Sequence, residues 1–209
     1  VYCLGLALLL SAPPTPPLMY PPVPASVILL VGIVLFIPGL LNTFGVLLGS
    51  RLNDISVWWH VLGVLIIVGV LFFWPGAHHN SPDFLFKFVN NTGIGIPPYV
   101  FLIGLLLAQY TFTGYDASAH MTEETRNAAI AGPRGIVLSI VVSLFAGWLL
   151  LIGVTQAIGN YDKEVAAVVP PAAIFVDSVG HNVAVFLMII VVGAQFYCGM
   201  SSVTANSRM

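Results

Sequence analysis

Charge is what this chain has least of. Of its 209 residues only 7% are Asp, Glu, Lys or Arg, against about 25% in soluble domains, while 58% are hydrophobic. That balance excludes a soluble globular domain and defines a membrane protein. Six Lys and Arg within a net charge of -2 leave no basic footprint, which excludes nucleic acid as a partner. Cysteine is scarce too. Cys3 and Cys198 stand in apolar surroundings with no CxxC or Cys/His spacing, so neither a disulfide framework nor a metal site is indicated, and both are expected to pack as small hydrophobes. Paired intramembrane aspartates, a Ser/His pair and HExxH are all missing, so nothing supports an intramembrane enzyme or calls for a cofactor. His78, His79 and His181 match no metal-ligand pattern and read as surface residues. A starting Met and a targeting segment are also lacking: the chain opens at Val1 inside one apolar run and closes at Met209 just after another, which reads as an internal fragment.

What is present is a series of long apolar runs. A bilayer's hydrocarbon core takes roughly 20 apolar residues in helical form to cross. Runs at 25–48, 55–74, 98–119, 135–158 and 180–205 meet that length, and 1–10 is a partial one. All predict helices in contact with membrane lipid. Residues 11–24 hold seven prolines and predict a stiff, extended linker outside the bilayer. Residues 78–83 (HHNSPD) predict a polar, turn-rich loop. Pro170-Pro171 followed by AAIFV predicts a short helix with Pro in its first turn, lying at the surface. Asn90-Asn91-Thr92 fits the glycosylation acceptor pattern on the same side, a triplet that also arises by chance.

With this helix count Arg51, Arg126, Arg134 and Arg208 fall on one side of the membrane, and Lys87 and Lys163 on the other. Cationic residues near helix ends favour the cytoplasm, so the Arg side is expected to be cytoplasmic and 11–24, 75–97 and 159–179 external. Glu123 and Arg126 have the spacing of a helical ion pair on the cytoplasmic side.

One run is interrupted. In 112–125, FTGYDASAHMTEET, the weak helix former Gly114 is flanked by Thr111 and Thr113, whose hydroxyls compete for backbone hydrogen bonds, and Asp116 follows. Inside hydrocarbon such a break survives only where it is buried in protein or lines a watery cavity. It would offer a partially negative half-helix end to a cation and a partially positive one to an anion. An ionisable residue such as Asp116 within a span is a functional-site candidate by default. The residues equally admit a plain alternative, in which Gly and Thr allow close helix packing and Asp116 sits at the cytoplasmic interface with His120, Glu123 and Glu124.

Residues 111–136, TFTGYDASAHMTEETRNAAIAGPRGI, resemble the sixth transmembrane helix and following loop of amino-acid permeases in the amino acid-polyamine-organocation superfamily, in the amino acid/choline branch that includes GABA permeases. GYDASAH, EET and PRGI occur together and in order. Residues 42–60, NTFGVLLGSRLNDISVWWH, and 195–208, QFYCGMSSVTANSR, resemble helices four to five and helix eight of that family. The resemblance implies an all-α membrane protein, in which residues 1–209 run from the end of helix three through helix eight of an inverted-repeat transporter fold whose sixth helix is broken. It implies a secondary transporter that moves an amino acid, GABA, choline or a polyamine across the plasma membrane by alternating access; the other reading is a non-transporting subunit or receptor that keeps the fold. Carried over residue by residue, Tyr110, Thr111, Phe112, Thr113, Gly114 and Asp116 would line the substrate site. Carbonyls of Tyr110 and Thr113 would receive the ammonium, Phe112 or Tyr110 would cover it, and Met200 would contact the substrate's side chain beside Ser201 and Ser202. Where lysine-bearing, proton-coupled relatives have their lysine, this chain has His60, which would carry or sense a coupling proton; simple hydrogen bonding to a neighbouring helix is the structural alternative.

Overall fold

Uninterrupted runs of Val, Leu, Ile and Phe leave a backbone one way to satisfy its polar groups within hydrocarbon, the α-helix. A computed structural model describes residues 25–44, 46–90 and 93–207 and is all-α, with no strand among the described residues. The run at 1–10, the linker 11–24, Cys3, Asn91, Thr92 and Arg208 lie outside them. The α-helices are α1 (Ala25–Phe44), α2 (Val46–Phe73), α3 (Pro97–Thr111), α4 (Ala117–His120), α5 (Ala128–Gln156), α6 (Tyr161–Val165), α7 (Pro170–Val179) and α8 (His181–Asn206). Single 3₁₀ turns occupy Pro82–Phe86 and Thr122–Glu124. Arg51–Phe73 of α2, all of α5 and all of α8 are long and apolar enough to cross a membrane.

Three boundaries differ from expectation, each for a physical reason. Runs at 25–48 and 55–74 predict a loop between them, yet α2 begins at Val46 and continues through Arg51, Asn53 and Asp54. A helix's backbone bonds are internal, so polar side chains at Arg51, Asn53 and Asp54 do not interrupt it. The predicted helix 135–158 begins earlier, at Ala128, with Pro133 inside it. Pro133 is the sixth residue of this helix, past its first turn, and it removes the bond to the Ala129 carbonyl without ending the helix. The run 98–119 is two helices, α3 and α4, with five turn residues between them.

The buried core lies where the end of α2 meets α7 and the start of α8. Ile67 and Leu71 of α2, Ala172, Ile174, Phe175 and Val179 of α7, and Ala184, Leu187, Met188 and Ile190 of α8 form one cluster. The short helix predicted at Pro170 therefore exists but is not a mere surface feature, since half its residues are buried. It turns straight into α8 at Gly180, whose φ of 83° with ψ of 164° is a conformation essentially confined to glycine.

The α2–α8 seam is closed by a second device. Gly193 has no side chain, and the Trp59 indole lies where one would be, 2.7–2.8 Å from the position a Cβ would take. This lets Trp59 Nε1 donate to the Ile190 carbonyl at 3.0 Å. Along α5, small residues form a bed for the interrupted helix: Thr111, Ser118 and Thr122 lie 2.9–3.1 Å from where a Cβ would project at Gly147, Gly135 and Gly132. Close approach of this kind is how membrane helices gain packing without a hydrophobic driving force.

Candidate functional site

The helical ladder of α3 ends with Thr111. Phe112 N–H already reaches back only three residues, to Gln109 O at 3.0 Å, and regular helix resumes at Ala117, whose N–H donates to Gly114 O at 3.1 Å. Between them Gly114 adopts φ of +88°, a left-handed value that lets the chain turn without the steric cost a Cβ would bring. Space around Gly114 is otherwise open.

This interruption forms one wall of a cleft of about 670 Å³ whose other wall is the last two turns of α8. Thr113, Gly114, Asp116 and His120 face Cys198, Ser201, Ser202 and Asn206 across it. Asp116 Oδ2 lies 3.4 Å from His120 Nε2, one helical turn on, and half of the Asp116 side chain remains exposed. On the opposite wall Ser201 Oγ donates to Asn53 Oδ1 of α2 at 2.8 Å. The walls thus combine a carboxylate, an imidazole and hydroxyls, a set suited to a polar solute with a cationic or hydrogen-bond-donating group. The half-helix after the break is only four residues long, so its amino end carries little dipole. The anion half of the expected site therefore has no support, whereas the carboxyl end of fifteen-residue α3 offers its partial negative charge to a cation.

The sequence-predicted residues distribute unevenly. Thr113, Gly114 and Asp116 line the cleft. Tyr110 and Thr111 form the last turn of α3, and half-buried Phe112 follows them. Met200 is 1% exposed and lies in the interior, while its neighbours Cys198, Ser201 and Ser202 face the cleft. Cys198 is accordingly exposed and not packed as expected. His60 is half-buried on α2, two turns above Asn53, and is not part of the cleft wall. Its Nδ1 lies 2.7 Å from the Ser56 carbonyl, with Ser56 Oγ at 3.3 Å, so Nδ1 carries the hydrogen and Nε2 is the nitrogen able to gain one. Thr122–Glu124 is a 3₁₀ turn and Asn127 has φ of 55°, so Glu123 and Arg126 do not share a helix face. Among the described residues no group of three His, Cys, Asp or Glu is placed to hold a metal ion. Sequence reasoning set His120 beside Asp116 only as an interface residue and passed over Asn206; the four-residue spacing of Asp116 and His120 was the available signal for the first.

All-α over its described residues, with three membrane-length helices, the chain is a multi-pass membrane protein, and a cleft carrying Asp116, His120 and serine hydroxyls lies at its helix interruption. The amino acid permease family model matches residues 3–209, and the chain belongs to that family. It is 36% identical over 192 residues to the amino-acid permease BAT1 of Arabidopsis thaliana, covering 85% of this chain and 37% of the relative. It is 30% identical over 172 residues to the GABA-specific permease of Saccharomyces cerevisiae (76% and 29% covered), and 25% over 181 residues to the polyamine transporter TPO5 of the same yeast (84% and 29%). The chain thus spans about a third of the length of the curated relatives it matches. No solved structure matches it.

Proposed function

We propose that this chain is the part of a secondary transporter, from the end of helix three through helix eight of an inverted-repeat fold, that supplies one half of the binding site for an amino acid or related amine. The single observation that carries the proposal is the cleft between the Gly114 break and α8, with the Asp116 carboxylate on its wall. A half-exposed carboxylate on a cleft wall favours a cation, and amino acids, GABA and polyamines share an ammonium group. Relatives named for amino acids, GABA and polyamines support that substrate class. Transport moves the solute by alternating access across the plasma membrane, with the loops bearing Arg51, Arg126, Arg134 and Arg208 in the cytoplasm. His60, with Nε2 able to gain a proton, is the site of a coupling proton.

Uptake of radiolabelled alanine, arginine, GABA and putrescine by cells expressing the full-length protein that carries this chain tests the reading. Wild type is expected to concentrate at least one of them. Gly114→Leu, at a position whose φ disfavours any side chain, should abolish uptake at equal surface abundance. Unchanged uptake would refute the broken-helix site, and a folded, surface-expressed wild type that moves none of the four would favour a non-transporting receptor or subunit. Repeating uptake across external pH with His60→Gln tests coupling: the variant should lose acid stimulation, and an unaltered pH profile would remove His60 from that role.

A further inference from the structure

Two hydroxyls near the end of α8 serve their own helix: Thr204 Oγ1 donates to the Met200 carbonyl at 2.9 Å and Ser207 Oγ to Thr204 O at 2.8 Å. Ser201 does not. Its hydroxyl crosses to another helix and donates to Asn53 Oδ1 at 2.8 Å, while the Ser201 side chain also forms part of the cleft wall. A serine hydroxyl has one hydrogen and two lone pairs. With that hydrogen engaged by Asn53, the oxygen has only acceptor capacity left for anything bound in the cleft. The facing wall offers the Asp116 carboxylate, also an acceptor. Asn53 itself is outside the cleft, half-buried in the α2–α8 seam.

We infer that Asn53 is a positioning residue for solute binding: by taking the Ser201 hydrogen it turns the α8 wall into a hydrogen-bond acceptor and selects solutes that present an N–H donor there. This rests on the cleft being the solute site. It assigns Asn53, a residue remote from the break in sequence, a role in affinity that it exercises only through Ser201. An ammonium or amine donor is stabilised by an oxygen held in this sense, whereas a freely rotating hydroxyl would suit a carboxylate as readily.

The experiment is a double-mutant cycle in the full-length protein, read as KM for whichever of radiolabelled alanine, arginine, GABA or putrescine the wild type takes up, with surface abundance measured in parallel. Asn53→Leu and Ser201→Ala are each expected to raise KM roughly threefold to tenfold, the range of one hydrogen bond, with maximal uptake per surface molecule preserved. The double variant should match Ser201→Ala alone, because residues acting through one contact are not additive. Asn53→Asp, which keeps an acceptor at the same position, should hold KM at or below the wild-type value. A purely structural role would lower surface abundance and leave KM alone, and that result overturns the inference. So do multiplied effects in the double variant, or Asn53→Asp behaving like Asn53→Leu. Should Ser201→Ala raise KM while Asn53→Leu does not, the inference falls and the cleft stands; should Ser201→Ala and Gly114→Leu both leave uptake untouched, the cleft reading falls with it.

Discussion

Two glycines show how differently the same residue can matter. At Gly114 the surroundings are open and the backbone angle is the constraint; at Gly193 the backbone is ordinary helix and the constraint is the Trp59 indole pressed against it. The second leads to a stability prediction. Gly193→Ala places a methyl carbon within contact-violating distance of the Trp59 ring, which must shift and release the 3.0 Å bond from Nε1 to the Ile190 carbonyl. Overpacking of this kind costs roughly 1–3 kcal/mol. The loss should be read as a lower unfolding temperature of the detergent-purified full-length protein, and adding Trp59→Leu should recover part of it. An unchanged midpoint in Gly193→Ala would show that the seam is looser than its distances imply.

Among the elements, the α5–α7 connection is held by a buried carboxylate, one of whose oxygens, Oε2, has no hydrogen-bond partner among the described residues. Glu164 is 1% exposed, and its Oε1 accepts from the N–H groups of Gly159 and Asn160, both at 3.1 Å. Asn160 in turn caps α6 by accepting from Lys163 N. Removing the carboxylate strands two backbone donors, so Glu164→Ala should destabilise the purified protein by about 1–2 kcal/mol, whereas Glu164→Gln keeps an oxygen in place and should cost much less. The neighbouring ion pair is the counterexample. Lys163 Nζ is 2.7 Å from both Asp177 oxygens, yet its side chain is 62% exposed, and breaking it with Lys163→Ala should change stability by no more than about 1 kcal/mol. A thermal-unfolding series on the three variants orders them; equal effects for Glu164→Ala and Lys163→Ala would show that burial is not what decides.

For the whole molecule, the prediction concerns sidedness. Single cysteines replacing Lys163 and His79 in the full-length protein, with Cys198 and other native thiols replaced, should react with a membrane-impermeant thiol reagent applied to intact cells. Cysteines at Arg126 and Arg134 should react only after permeabilisation. The reverse pattern would invert the orientation inferred from charge. At this scale the sequence was informative about class and position along the chain: scarcity of charge marked the membrane, and the weak helix formers around Gly114 marked the interruption where α3 ends at Thr111. It was less informative about boundaries, because the polar side chains of Arg51, Asn53 and Asp54 say little about whether the backbone stays helical.

Composition and local propensity alone therefore determined that the chain is an all-α membrane protein and marked Gly114 as a candidate break beside plain helix packing, since both depend on residues adjacent in sequence. Only the tertiary structure decided which side chains meet. Successive residues of a helix point about 100° apart, and in α8, apolar almost all the way round, no polar stripe announces its rotation. Packing against α2, through Trp59 on Gly193 and Asn53 on Ser201, sets that rotation, turning Met200 into the interior and Cys198, Ser201 and Ser202 toward the break.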